Sequence, residues 1–278
     1  MSTIGRSSKK NRVRPANSVW RRLLRRWRAW RGAGLAKTHQ VHLIELDGVR
    51  YKRVIFDSDA EASRVVSALQ EVASIGRFPG VVRHDQREIW VDYVPGQLAR
   101  QGSDDQQIVD LFIDLYRMPS SPIEPGSLGY EQVLARDLDY LTDAGRITSQ
   151  EASGLAARAN DLRPERLLIG HDYLDPIPRN FVIRDGQAVA IDIEALVANQ
   201  PLGAGLAKAV LRWPGLDAGS FLQQLIKHGG PDLRAQYPWI ELCFLAHYFR
   251  QKLIQRKPRQ VRIGALLAHL AGDSETCL

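Results

Sequence analysis

An α+β fold, strand-rich in its first third and helical beyond it, follows from three observations on the sequence. Asp47-Gly48 divides two runs of strand character, VHLIEL and VRYKRVIF, which is the pattern of a tight hairpin. From residue 97 onward, apolar residues recur at helical spacing in successive segments, as with Ile108, Leu111, Phe112 and Leu115. A second Asp-Gly pair, Asp185-Gly186, interrupts the helical region with one more short hairpin, Phe181-Val182-Ile183 returning through Ala188 to Ile191.

Taken in order, residues 1–17 are rich in Ser, Lys, Arg and Asn and are expected to be disordered. Ser18 can cap a basic amphipathic helix over 18–33. Trp20, Leu23, Leu24, Trp27 and Trp30 share one face of it, Arg21, Arg22, Arg25, Arg26 and Arg28 fill the rest, and Gly32 is the stop. The hairpin of 41–56 follows. Ser58, with Glu61 three residues on, forms a capping box for a helix whose apolar face is Ala62, Val65, Val66 and Leu69 and which ends near Gly76. Residues 81–96 read as two strands with a turn at Asp85-Gln86, ending at Pro95-Gly96.

Beyond Gly96 the pattern is helical: DDQQIVDLFIDLYRM, a loop SSPIEPGSLG, then YEQVLARDLDYLTDAG and TSQEASGLAARANDL, the last opening on a Thr148/Glu151 capping box. After Glu194 come LGAGLAKAVLRW, SFLQQLIKHG and YPWIELCFLAHYFRQKLIQRK. The aromatic-aliphatic stripe of the last is read as core, and Arg250, Lys252, Arg256 and Lys257 suit a helix C-terminus.

The stretch with the most chemistry is 167–196. A polar loop, Asp175-Pro-Ile-Pro-Arg-Asn180, leads into the second hairpin, whose return strand delivers Asp192 and Glu194. A loop carboxylate, a loop carboxamide and a strand-end carboxylate held by one hairpin suit phosphoryl transfer from a nucleotide. One Asp takes the proton of the acceptor hydroxyl; an Asn and a second Asp hold the magnesium that neutralises the phosphates. Asp, Pro and Asn are also turn formers, so a plain surface turn is the competing reading.

This segment resembles the catalytic loop of kinase-fold small-molecule phosphotransferases, the aminoglycoside and choline kinases and the lipopolysaccharide-core sugar kinases, which runs H-G-D-x-x-P-x-N, two strands, then I-D-x-E. Tyr173-Leu174-Asp175-Pro176-Ile177-Pro178-Arg179-Asn180 and Ile191-Asp192-Ile193-Glu194 keep the Asp, Pro, Asn and second-Asp offsets. The resemblance implies a protein-kinase-like two-lobe fold, with a small β-rich lobe over 40–96 and a helical lobe over 97–278 that carries the catalytic loop at 171–194.

It also implies Asp175 as catalytic base, Asn180 and Asp192 as magnesium ligands with Glu194 an additional candidate, and ATP as co-substrate. Lys52, or its strand neighbour Arg53, would hold the α and β phosphates. Glu61, or Glu71, would pair with that cation, unless Glu61 serves only as a cap. Asp92-Tyr93-Val94-Pro95-Gly96 is similar to the interlobe hinge, whose backbone at Asp92 and Val94 would receive adenine. Three features depart from the family: Tyr173 stands where His is usual, the hairpin after Asn180 is about one residue shorter, and no Gly-rich phosphate loop precedes the first hairpin. His171-Asp172 is a displaced alternative, but Asp172 lies eight residues before Asn180, against five for Asp175.

Composition narrows the function. At 278 residues, with 44% apolar and 25% charged residues, the chain suits a globular protein with a real core. Cys243 and Cys277 have no metal or redox spacing and fit a reducing, cytoplasmic compartment. No secretory signal, bilayer-length apolar run or internal repeat is evident. The net charge of +7 is local: residues 1–40 hold twelve Lys and Arg and no acid, while the rest carries 26 basic and 31 acidic residues. That argues against a uniformly basic nucleic-acid-binding domain.

The 18–33 helix, with tryptophans beside arginines, could lie on an anionic membrane surface, pack on the protein body, or bind RNA. The leading expectation is an ATP- and Mg-dependent phosphotransferase acting on a hydroxyl of a small molecule or glycan, with a lipopolysaccharide-core sugar at a membrane surface as the suspected acceptor. A catalytically inactive kinase-like scaffold at the membrane is the alternative.

Overall fold

A computed structural model describes residues 39–271. The basic tail, the segment 18–33 expected to be helical, with its membrane-surface candidates Trp20, Arg21, Arg22, Arg25, Arg26, Trp27 and Trp30, and Cys277 lie outside the described residues.

The described residues divide into two compact units, one built from 39–62 together with Val81–Tyr93, the other from Ser63–Gly80 and 94–271. The smaller unit is a four-stranded antiparallel sheet in the order β1-β2-β4-β3, with β1 Gln40–Leu46, β2 Val49–Ile55, β3 Val81–Asp85 and β4 Glu88–Asp92. The first hairpin forms as its turn chemistry dictates. Leu46 pairs with Val49, and Asp47 and Gly48 both take positive φ, 51° and 79°. The second turn lies one residue later than the sequence suggests: Asp85 pairs with Glu88, so the loop is Gln86-Arg87, and Gln86 bears the positive φ. With no glycine there, the sequence holds no marker for its register.

Helix α1, Asp59–Glu71, starts in the smaller unit, where the Glu61 backbone N–H donates to Ser58 Oγ at 3.3 Å, and runs into the larger. It stops at Glu71, short of the expected end, and a 3₁₀ turn, Ala73–Ile75, brings the chain to Gly76 in the left-handed region.

The larger unit contains α2 Asp105–Tyr116, α3 Tyr130–Asp143, α4 Ser149–Leu162, α5 Ala204–Arg212, α6 Ala218–Lys227, α7 Tyr237–Ile254 and the short α8 Ile263–Leu267. The expected Thr148/Glu151 capping box is formed at the start of α4. The stripe of α7 is core: Trp239, Ile240, Leu242, Leu245, Ala246 and Phe249 are buried with residues of α3 and α4. No helix among the described residues is long and apolar enough to cross a membrane.

Two three-stranded antiparallel sheets hold the loop region. One is β10-β7-β6, with β6 Ser121–Ile123, β7 Leu167–Tyr173 and β10 Leu196–Pro201; the other is β5-β8-β9, with β5 Gln97–Leu98, β8 Phe181–Arg184 and β9 Gln187–Ala190. Strands β6 and β10 correct the sequence reading, which has a loop at the first and passes directly to helices after Glu194. Each gains its hydrogen bonds by pairing with β7, a partner distant in sequence, and neither has an alternating pattern of its own.

One close approach positions everything downstream. The Gly205 N–H, at the start of α5, donates to Asp172 Oδ2 at 2.8 Å, and a β-carbon at 205 would collide with that carboxylate and with the Tyr173 carbonyl. Gly205→Ala is therefore expected to destabilise the fold by more than about 1 kcal/mol, the usual range for overpacking being 1–3. A urea titration should show a lower midpoint; an unchanged midpoint would contradict this packing.

Candidate active site

Strand β7 ends in three buried residues, His171, Asp172 and Tyr173, and the chain then turns outward. Asp172 is wholly enclosed. It accepts from the Tyr116 hydroxyl on α2 at 2.9 Å, from the Tyr173 N–H at 2.8 Å and from the Gly205 N–H at 2.8 Å. Burial pushes its carboxyl up to about 6, against those hydrogen bonds, which favour the charged form. A carboxylate whose lone pairs are spent on three internal donors is a structural tie. It is not available as a displaced catalytic base.

Asp175 lies three residues on. Its own carbonyl accepts from the Ile177 N–H, and the Asn180 N–H then donates to the Ile177 carbonyl, both at 2.8 Å, which curls the Pro-rich loop into a 3₁₀ turn, Pro178–Asn180. The Asn180 side chain closes the loop. Its Nδ2 donates to the Asp175 carbonyl and to Asp175 Oδ2, each at 2.9 Å. Burial acts to raise the Asp175 carboxyl, but the Lys208 ammonium, the Asn180 amide and the Arg179 charge outweigh it and hold it below its ordinary value. Lys208 Nζ is 2.5 Å from Asp175 Oδ1 and donates to the Leu174 carbonyl at 3.0 Å. Trp213 Nε1 donates to the Pro176 carbonyl at 2.6 Å and pins the loop from below.

The hairpin sets the second carboxylate. Phe181 pairs with Ala190, the turn residues Asp185 and Gly186 both take positive φ, and the Ile191 N–H donates to the Asn180 carbonyl at 2.8 Å. Asp192 is thus the residue next after the one bonded to Asn180, and its carbonyl starts a 3₁₀ turn containing Glu194. Both amide hydrogens of Asn180 are directed at Asp175, so Oδ1 is the atom it can offer a cation.

Among the described residues no group of three or more His, Cys, Asp or Glu could hold a metal unaided. A carboxamide oxygen and one carboxylate suit a hard cation such as Mg²⁺, which takes its remaining ligands from phosphates and water. As hard oxygen donors, Asn180 Oδ1 and the Asp192 carboxylate fit a magnesium ion brought with a nucleotide.

Neither a family model nor a curated protein matches this sequence. Solved structures do match. The choline kinase of Streptococcus pneumoniae aligns with a TM-score of 0.55 at 11% identity, over 92% of this chain and 100% of that one. A macrolide 2′-phosphotransferase from Brachybacterium faecium gives 0.51 at 12% identity, over 90% and 97%. An aminoglycoside phosphotransferase, solved as a ternary complex with ADP and hygromycin B, gives 0.54 at 11% identity, over 88% and 92%. The fold is protein-kinase-like.

Within this kinase-like fold the other candidates have definite places. Lys52 pairs with Val91 across the sheet and shares its face with Val54, which pairs with Ile89; all three of these neighbours are buried. Arg53 points to the opposite face and is bonded to Glu88 on β4, so the rival cation is already committed. Glu61 lies with its Oε1 3.2 Å from His39 Nε2, a partner invisible in the sequence, and Glu71 lies 2.9 Å from His171 Nε2. Asp92 is exposed at the end of β4. Val94 is buried with Val182 and Val189, with Ile191 packed against them. Gly96 has φ 148°, and a β-carbon there would collide with Val182 and the Ile183 carbonyl, which accounts for glycine after Pro95.

Tyr173, at the usual His position, is fully buried between Phe78 and Phe181, with ring centroids 6.0 and 5.3 Å away. Burial, with Asp192, Asp175 and Glu194 nearby, pushes its hydroxyl well above the usual range, so it stays neutral. The residue that sequence reasoning missed is Lys208. It sits in LGAGLAKAVLRW, where a single lysine on an apolar helix gives no local signal; its spacing of three from Gly205 matters only once α5 is docked on Asp172.

The two carboxylates predict different pH behaviour. Asp172 has a folded value near 6 against an ordinary 3.8, so its contribution to stability is fully present below about pH 4 and is lost as pH rises through 6. In Asp172→Asn that contribution is absent. The stability gap between wild type and variant should therefore shrink by roughly 2–3 kcal/mol from pH 4 to 7, at 1.36 kcal/mol per unit of pKa difference. Urea titrations across that range test this, and a gap constant with pH would contradict it.

Proposed function

We propose that the protein is an ATP- and magnesium-dependent phosphotransferase acting on a hydroxyl of a small molecule or glycan. The observation that carries the reading is the Asp175–Asn180 pair, closed by two 2.9 Å hydrogen bonds and tied through the Asn180 carbonyl to the strand end bearing Asp192. Asp175, ionised at neutral pH, orients the acceptor hydroxyl and receives its proton. The hydroxyl oxygen bonds to the γ-phosphorus as the bond to the β–γ bridging oxygen breaks, and ADP leaves with that electron pair.

Asn180 Oδ1 and Asp192 would hold magnesium, which when bound neutralises phosphate charge, with Glu194 the additional candidate. Lys52 is assigned the phosphate-holding role, with Glu61 as its supporting carboxylate, and the backbone at Asp92 and Val94 the adenine-binding role. The choline kinase, macrolide phosphotransferase and ADP-bound aminoglycoside phosphotransferase structures, all of this fold, support the reaction class.

The finer reading is a lipopolysaccharide-core sugar met at the cytoplasmic membrane face, with the arginine-tryptophan segment 18–33 on anionic lipid. Its support is the sequence of that segment. The second reading is a catalytically inactive kinase-like scaffold. It is favoured by the engagement of both Asp175 oxygens, Oδ1 with Lys208 and Oδ2 with Asn180.

Asp175→Asn decides between them. The expected result is a fall of about 10²–10⁴ in ADP release from Mg·ATP, the usual worth of a positioned base, with the folded state retained. No ADP release above background by the wild type would favour the scaffold, and equal release by both would contradict Asp175 as the base.

A further inference from the structure

Asp175 stands at the edge of a cluster of cations carried by two helices in contact, α5 and α7. Lys208 and Arg212 are one turn apart on α5; Tyr248 and Lys252 are one turn apart on α7. Residues four apart share a helix face, so each pair presents both members together. The Tyr248 ring is flanked by both ammonium groups, with Lys208 Nζ 5.8 Å and Lys252 Nζ 4.7 Å from its centroid. These are distances at which a ring face attracts a cation. Lys208 is in turn 2.5 Å from Asp175 Oδ1, which joins the cluster to the proposed base.

The cluster is under-neutralised. Burial, together with Lys208, Lys257 and Arg212, lowers the Lys252 ammonium to about 8, with Asp175 the carboxylate that opposes the shift. Arg179 Nε in the loop and Arg212 Nε on α5 are buried and have no hydrogen-bond partner among the described residues. Gathering like charges beside one another costs free energy, and leaving buried guanidinium donors unmade costs more. An anion bound among the charged groups would offset the first of these costs, since guanidinium and ammonium donors bond phosphate and carboxylate oxygens more strongly than neutral ones.

A cationic acceptor would meet the opposite field. Choline and ethanolamine, the substrates named for two kinases of this fold, carry a positive nitrogen that these side chains would repel. We propose that the acceptor is an anionic alcohol, a hydroxyl compound bearing a phosphate or carboxylate group. That group docks on Lys208, Arg212 and Lys252, and the hydroxyl is presented to Asp175. This inference rests on the phosphotransferase reading and specifies the substrate class for it.

The test uses the full chain with saturating Mg·ADP, so that the nucleotide's own phosphates are already placed. Glycerol 3-phosphate, glucuronate, glycerol and choline are added in turn, with stabilisation against heat as the readout, on wild type, Lys252→Glu and Arg212→Glu. Glycerol 3-phosphate or glucuronate should stabilise the wild type where glycerol and choline do not, the two anions separating a phosphate from a carboxylate preference. Each charge reversal should weaken the anion by about tenfold or more, the worth of one charged hydrogen bond, while the Mg·ADP shift persists in both variants as proof of folding. Choline binding as well as the anions, or anion binding indifferent to both reversals, would overturn the proposal. Mg·ADP stabilisation with no response to either anion would also overturn it and leave the phosphotransferase reading standing. Anion binding lost on charge reversal, in a protein that Mg·ADP does not stabilise, would keep the anion site and remove the phosphotransferase reading.

Discussion

A buried carboxylate with no solvent around it must find donors inside the protein, and Asp172 finds one on its own strand and two on helices remote in sequence. Tyr116 comes from α2, the Tyr173 N–H from β7 and the Gly205 N–H from α5. Once the first turn of α5 is fixed on Asp172, the next turn carries Lys208 to Asp175, because three residues separate Gly205 from Lys208 just as three separate Asp172 from Asp175. One further turn brings Arg212 to the same face. The tie at Asp172 therefore sets the electrostatics of the loop without taking part in its chemistry.

The two aspartates illustrate how environment divides roles between identical side chains. Both experience burial, which raises a carboxyl. Asp172 is surrounded by neutral donors and stays raised, to about 6. Asp175 has an ammonium in contact and a guanidinium nearby, and the balance reverses. In the proposed reaction Asp175 is the proton acceptor, ionised at neutral pH and held by the Asn180 amide on one oxygen and the Lys208 ammonium on the other. The cations that prepare it also colour the surroundings, so the field that ionises Asp175 is the one that would favour an anionic acceptor over an amino alcohol.

Much of this was legible in the sequence wherever the cause is local. The Asp47-Gly48 and Asp185-Gly186 turns, the Thr148/Glu151 cap and the stripe of α7 follow from neighbours within a few residues, and all are formed. The five-residue spacing from Asp175 to Asn180 is likewise a local feature, closed here by hydrogen bonds across the loop. What the sequence hid depends on distant partners. Strands β6 and β10 exist because β7 lies between them, Arg53 is committed because Glu88, diagonal to it on β4, bonds it, and Lys208 matters because Asp172 anchors its helix. The turn at Gln86-Arg87 was displaced by one residue because nothing there demands glycine.

Thermal stabilisation by ATP with and without magnesium tests most directly the proposed nucleotide site, in which Asn180 and Asp192 would hold magnesium beside Asp175. A ligand that binds the native state raises its stability in proportion to occupancy. The account predicts a magnesium-dependent rise in the wild type that is lost in Asp192→Ala. The same rise in the variant would contradict the metal assignment, and no rise under any condition would contradict the nucleotide site itself.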